Sequence, residues 1–369
     1  MALVLDAAAD AKIQELLLQS QVSEALTLFN SHVTPEDTDW LSRSCNFHAA
    51  AGWAYFQNLS FVQACQHFMY APEAVVQHLL CFWRQFLPAG WEPQPSGSRG
   101  CELAPKPVDI ESFVQAQMRA KATGGVQAST IAAANLALSG FLLKQRSALQ
   151  AQDRGGSGPC SKAGQSAAGP SLMQAVDTLV LKLLVEVQAD DDKLQELLAQ
   201  NPCCVVEDCE SFLKSRGRSD LLAHLWKARR EYEHVLQEWS QLLRTACAAG
   251  ASARSLKEQA VQEMTDALVG AMGQANGRQA LQQYVPELLA VDPTAVLPVF
   301  TGAHAQFGPA SPLTVDEVVK LFGDHEQLTL GYLEAMLHRQ PHLEQKHKVQ
   351  MGTLYLSQVK EELRVGVEM

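Results

Sequence analysis

Long apolar runs are missing from this chain. The longest, Ile131 to Leu143, is interrupted by Asn135 and Ser139 and falls short of the ~20 residues that cross a bilayer as a helix. Short β-branched runs are also few, which argues against a sheet. No two cysteines stand at the C-x₂-C spacing on which structural zinc sites rely. An odd count of nine without framework spacing fits a reducing compartment. Positive charge is sparse. The net charge is −11, and no cluster of four to eight Lys or Arg is present. A basic stripe for nucleic acid or anionic lipid is thereby excluded. The opening Met-Ala-Leu-Val-Leu-Asp has no basic stretch, so a secretory signal is not expected, and the sequon Asn58-Leu59-Ser60 then has no use. The expectation is a soluble, cytosolic protein.

What is abundant is helix-forming material. Hydrophobic residues make up 47% of the chain, with Leu, Ala and Gln dominant. Gly52, Tyr55, Ala64, Phe68 and Ala71 fall at relative spacings 0, 3, 12, 16 and 19. This is the register of a tetratricopeptide-type helix–turn–helix unit of about 34 residues. In it, Gly52 lets two antiparallel helices approach, Tyr55 and Phe68 fill the groove, and Ala64 is small where they cross. Ala25 and Phe29 repeat the A-x₃-F step. The fold expected is all-α, an α-solenoid of antiparallel helix hairpins of tetratricopeptide or clathrin-repeat type, with essentially no sheet.

Composition divides the chain into four parts. Residues 1–93 form an N-terminal helical repeat region of net charge −6, in which Pro72 is placed as an N1 residue opening a helix. Residues 94–151 hold a proline-rich loop and joining helices. Residues 152–170 are rich in Gly, Ser, Ala and Pro with almost no bulky side chain, and are expected to be disordered because they cannot offset the entropy of ordering. Residues 171–369 form a C-terminal helical repeat region of net charge −9. There Pro293, Pro298, Pro309 and Pro312 are expected to cut the chain into short pieces. Thr314 with Glu317 reads as a capping box, and Leu328–Gln340 with Pro341–Glu362 as a last helical pair.

Residue patterns that could carry chemistry have plainer explanations. His338, His342, His347 and Glu344 do not share one helical face, because Pro341 restarts the helix between them. Cys203, Cys204 and Cys209 read as buried small hydrophobes. Ser211-x-x-Lys214 lacks the companion motifs of a nucleophile site. Gly155-Gly156-Ser157-Gly158 follows no strand and has no Lys-Ser/Thr. Asp190-Asp191-Asp192 stands where acidic residues favour a helix start. The aromatic groups Trp53/Tyr55/Phe56 and Phe82/Trp83/Phe86 read as inter-helix core. No catalytic residue, cofactor site or metal site is assigned, and the chain is not expected to be an enzyme.

Five stretches in order carry a family likeness. They are Lys12–Leu17 with Glu24-Ala25-Leu26, Ala50–Phe68 with Gln85–Pro88, and Leu138–Leu143 leading to Arg146. Val176–Leu183 continuing to Leu197-Leu198 is the fourth. Phe300-Thr301, Tyr332-Leu333-Glu334 and Gly352–Leu356 make the last. Taken together, residues 12–362 resemble the central solenoid of the HOPS and CORVET tethering subunits, the family that includes the transforming growth factor beta receptor-associated protein. Members usually begin with a β-propeller and continue into a further C-terminal segment, and this sequence matches neither part. The resemblance implies a scaffold of vesicle tethering between endosome and vacuole or lysosome, peripheral on those membranes and partnered by other tethering subunits. Recognition of a Rab-type GTPase, a propeller property, would come only through the whole complex. Because the family chain continues past this point, the last pair is the expected docking end, with Leu328, Tyr332, Leu333, Leu354 and Tyr355 as candidate contacts. The alternative is a generic tetratricopeptide-like adaptor for a peptide or chaperone tail. A carboxylate clamp needs several cations on one face, and residues 1–93 contain only Lys12, Arg43 and Arg84.

Overall fold

A computed structural model describes residues 2–34, 36, 38–93, 103–121, 127–153, 170–189, 191–200, 202–302, 312–339 and 345–368. Among them are eighteen α-helices and no strand, an all-α solenoid as expected. The chain divides into two compact units, Met1–Phe212 and Leu213–Met369.

The first unit holds α1 (Ala2–Leu18), α2 (Val22–His32), α3 (Trp40–Gln57), α4 (Phe61–Phe68) and α5 (Glu73–Leu80). A 3₁₀ turn over Cys81–Phe86 follows, then α6 (Ile110–Ala120), α7 (Gln127–Asp153), α8 (Leu172–Glu186), α9 (Asp191–Ala199) and most of α10 (Val206–Ser215). Residues Ile13, Leu17, Val22, Ala25, Phe29, Phe47 and Ala51 pack α1, α2 and α3 into one cluster, with Phe29 stacked on Phe47 at 4.5 Å between ring centroids. Beyond it, Trp53, Phe56, Phe68, Phe82 and Phe113 form a second, aromatic cluster, joined by edge-to-face contacts. Helix α8 is buried almost all round, from Met173 to Val185, as befits a helix at the centre of its unit.

The second unit holds α11 (Ser219–Ala228), α12 (Tyr232–Ala249), α13 (Arg254–Ala271), α14 (Gly277–Val291) and α15 (Pro293–Thr301). After these come α16 (Val315–Phe322), α17 (Glu326–Arg339) and α18 (Gln345–Glu368). Phe300, Phe322 and Tyr332 meet edge to face and tie α15, α16 and α17 together.

One turn recurs. Between α1 and α2, Ser20 takes a left-handed conformation, its N–H donates to Leu17 and the next N–H, of Gln21, donates to Leu16. The same two bonds surround Leu59, Gln188, Gly217 and Arg230 between the helices of four further hairpins. This is the Schellman closure, in which a residue of positive φ satisfies the last carbonyls of one helix and lets the next begin at once. The repeat therefore lives in backbone geometry, with glycine at only one of the five turns.

Some sequence expectations need correction. Pro72 precedes α5 as its N-cap rather than opening it at N1. Pro298 does not end a helix: it lies within α15, which Pro293 opens and Asp292 caps. Burial of Val296, Val299 and Phe300 holds that helix despite the lost backbone donor. The segment expected to be disordered, 152–170, begins with the last two residues of α7. Residues 154–169 lie outside the described residues.

Candidate docking surfaces

The repeat motif is a packing device. Phe68 is fully buried, and its ring lies where a side chain on Gly52 would be: a Cβ there would stand 2.4 Å from the ring. Only glycine permits that approach of α3 to α4. Ala64 is likewise fully buried. Tyr55 is half-buried at the rim, 5.4 Å from the His67 ring, and Ala71 lies past the end of α4 in a bend. Next to Tyr55, His48 and His67 join α3 to α4 through a 3.0 Å contact between their Nδ1 atoms. Burial, and secondarily the neighbouring His48, lowers His67 to about 4. Burial alone lowers His48.

A second polar node lies deep in the first unit. Arg146 of α7 is buried and donates through Nε to Asp177 of α8 at 2.7 Å, with further bonds to Gln200. The other Asp177 oxygen accepts from the Cys203 N–H at 2.6 Å, and Thr178 accepts from the Val205 N–H at 2.9 Å. Burial pushes the Asp177 carboxyl up, while Arg146 and the Cys203 N–H pull it back. These bonds pin the segment leading into α10. They are internal and fully occupied, so the node orders the fold and offers nothing to a ligand. Cys204 and Cys209 are buried, but Cys203 is disulfide-bonded, which corrects the expectation of three plain hydrophobic thiols.

Of the docking candidates, Leu328, Tyr332 and Leu333 are core residues of α17. They hold α17 in place and present no surface. Leu354 is half-buried, and Tyr355 is exposed with its hydroxyl donating to Glu334. Helix α18 lies against its neighbours through His347, which is buried with Nε2 3.6 Å from Asp316, and through the Ser357 bond to Glu326. On its other side Val349, Leu356, Val359 and Leu363 are exposed by 61%, 65%, 49% and 64%. The sequence reading missed this stripe. It was legible as a 3-4 spacing of apolar residues in a segment already read as helix.

Among the described residues, no group of three or more His, Cys, Asp or Glu side chains is placed to hold a metal, and no helix is long and apolar enough to cross a membrane. His338 and His347 are on separate helices, and His342 and Glu344 lie outside the described residues. A small cleft in the second unit is lined by Glu233, Asn276 and Tyr284, where Asn276 donates to Glu233 at 3.0 Å. It contains no nucleophile beside a base.

Comparison with known proteins gives one match. Residues 176–269, from α8 into α13, fit the family model of vacuolar sorting protein 39 domain 1. No curated protein and no solved structure matches the chain. The matched segment contains the fourth stretch of the family likeness, Val176–Leu183 with Leu197-Leu198, and with it Asp177 and Thr178 of the buried node. Over these residues the chain is similar to domain 1 of vacuolar sorting protein 39.

Proposed function

We propose that this protein is a non-enzymatic scaffold subunit of a HOPS- or CORVET-type tethering complex, acting in vesicle traffic from endosome to vacuole or lysosome. The family match over 176–269 carries the reading. Two features support it. Within each unit the recurring helix hairpins present repeated helix faces, which suit contact with other subunits better than they suit turnover. The C-terminal pair, α17 and α18, carries exposed apolar side chains of the kind that become buried anchors in an interface. Its partners are other tethering subunits, and it reaches endosomal or vacuolar membranes peripherally through them. A Rab-type GTPase is contacted only by the assembled complex, and nucleic acid is not a partner.

The adaptor reading makes a different forecast, capture of a peptide or chaperone tail. The test is a pull-down from cell lysate with the tagged full chain and with Tyr355→Ala, blotted for known tethering subunits. The expected result is their recovery by the parent chain and a loss of about tenfold or more with the variant, the scale of one anchor residue. A parent chain that recovers chaperones and no tethering subunit favours the adaptor. Truncation before α17 is unsuitable, because it would strip Tyr332 from Phe300 and Phe322.

A further inference from the structure

We infer that Tyr355 is a phosphorylation site, and that a phosphate there lifts the outer half of α18 from α17 by repulsion from Glu334. In that half, the side chains of residues 355–360 and 362–364 are all exposed. Burial of apolar surface therefore does little to seat them. Bonds from hydroxyls to carboxylates do that instead. Tyr355 donates from its hydroxyl to Glu334 of α17, and Ser357 donates to Glu326 of the same helix at 3.0 Å. Such bonds are charge-assisted and geometrically specific. An exposed segment held by them opens locally at small cost, which frees the Tyr355 hydroxyl for an enzyme to reach.

The surroundings of that hydroxyl decide what a phosphate does. On α18 the positions one turn away are Met351, Gly352, Gln358 and Val359, none of them charged. On α17 the positions one turn from Glu334 are Leu330, Gly331, Leu337 and His338, of which only His338 can carry positive charge. The next cation, Arg339, is engaged by the carbonyls of Phe300 and Thr301. Glu334 already resists negative charge on the Tyr355 oxygen: it holds the hydroxyl above the usual tyrosine range, chiefly through their hydrogen bond. Ser357 is a poorer site for the same effect. Its partner Glu326 is the first residue of α17, so a phosphate on Ser357 would meet the positive end of that helix, and Lys360 stands one turn along α18 to pair with it.

The modification needs a tyrosine-directed protein kinase and ATP. The Tyr355 oxygen bonds to the γ-phosphorus while the bond from that phosphorus to the bridging oxygen breaks. The hydroxyl proton passes to the kinase base, and ADP leaves. The product has lost the donor that Glu334 accepted from, and carries a charge of about −1.5 to −2 with three acceptor oxygens. Two acceptors of like charge then face each other where one hydrogen bond stood. The bond two residues on, from Ser357 to Glu326, is left to hold the helix alone against that repulsion. The inference concerns the seat of α18 and does not depend on the tethering role.

The test is treatment of the native full chain with a broad-specificity tyrosine kinase and ATP, followed by peptide mass spectrometry and hydrogen exchange. Tyr355 should take up phosphate. Amide exchange over residues 352–368 should then quicken at least about tenfold, the scale of one lost charge-assisted bond, while α11 to α13 stay unchanged. Tyr355→Phe should remove the response to kinase. Glu334→Gln keeps an acceptor for the free hydroxyl and offers an amide donor to the phosphate, so the same treatment should quicken exchange far less. Glu334→Lys should reverse the sign, with phosphate slowing exchange in α18. A native chain in which Tyr355 stays unmodified overturns the inference, even where the pull-down recovers tethering subunits. So does a phosphorylated chain with unchanged exchange in α18. Equal quickening in the parent chain and in Glu334→Gln also overturns it, since the bulk of the phosphate and not its charge would then move the helix.

Discussion

At Gly52 a single missing methyl group decides whether α3 and α4 can pack. Gly52→Ala places a carbon inside contact distance of the Phe68 ring, and should cost about 1–3 kcal/mol as an overpacked core. Phe68→Ala, which empties the same site, should cost ~3–5 kcal/mol. Because the two residues touch, the double variant should be less damaged than the sum, and urea unfolding of all four chains measures that coupling. Additive losses would mean that the ring and the glycine do not share the site. His67 adds a pH dependence. Its folded value of about 4 lies below the ordinary histidine value of about 6.5, so between these the unfolded chain binds more protons. Stability should therefore be full above pH 6.5 and fall as the pH drops toward 4. With allowance for partial solvent screening the loss is on the order of 1–2 kcal/mol. Melting curves at pH 7 and 4.5 should show the drop in the parent chain and a smaller one in His67→Gln; equal drops would place the acid sensitivity elsewhere.

The five hairpin turns set the scale of the element. Four of them place a side chain where positive φ is disfavoured, at Ser20, Leu59, Gln188 and Arg230. Gln188 and Arg230 are exposed, so their side chains can be removed without touching the core. Gln188→Gly and Arg230→Gly should each raise stability by about 0.5–1 kcal/mol, the strain relieved less the entropy glycine adds to the unfolded chain. A lower melting point in either would show the side chain to be holding the turn. These turns also explain what could be read in advance. Helices α10 and α14 are legible to the residue, because apolar spacing and a flanking glycine or polar turn mark both ends. The turn repeat itself is hidden, since non-glycine residues adopt it under tertiary constraint and leave no mark in composition. Pro298 misleads for a related reason: burial of its neighbours outweighs one lost hydrogen bond. The docking residues divide along the same line. Periodicity identifies Leu328, Tyr332 and Leu333 as one apolar face, but only the packing of α17 shows that this face is already used.

For the molecule as a whole, the sequence foresaw the all-α architecture, and the family likeness is matched over 176–269. Residues 154–169 carry almost no bulky side chain. Deleting them should leave the melting temperature almost unchanged, and a fall of more than about 5 °C, roughly 1 kcal/mol or more, would show that they pack. Within each unit the principal packing partners are close in the chain, as α1 with α2, α3 with α4, α11 with α12, and α12 with α13. Such wiring has a consequence for synthesis. Short loop closures dominate the search for the native state, which favours rapid folding. A hairpin can settle while the next is still inside the ribosome, where elongation runs at ~5–20 residues per second. The exposure moves with it: at each moment the newest hairpin is the one whose apolar face awaits its neighbour, and a pause there is when a chaperone would be needed.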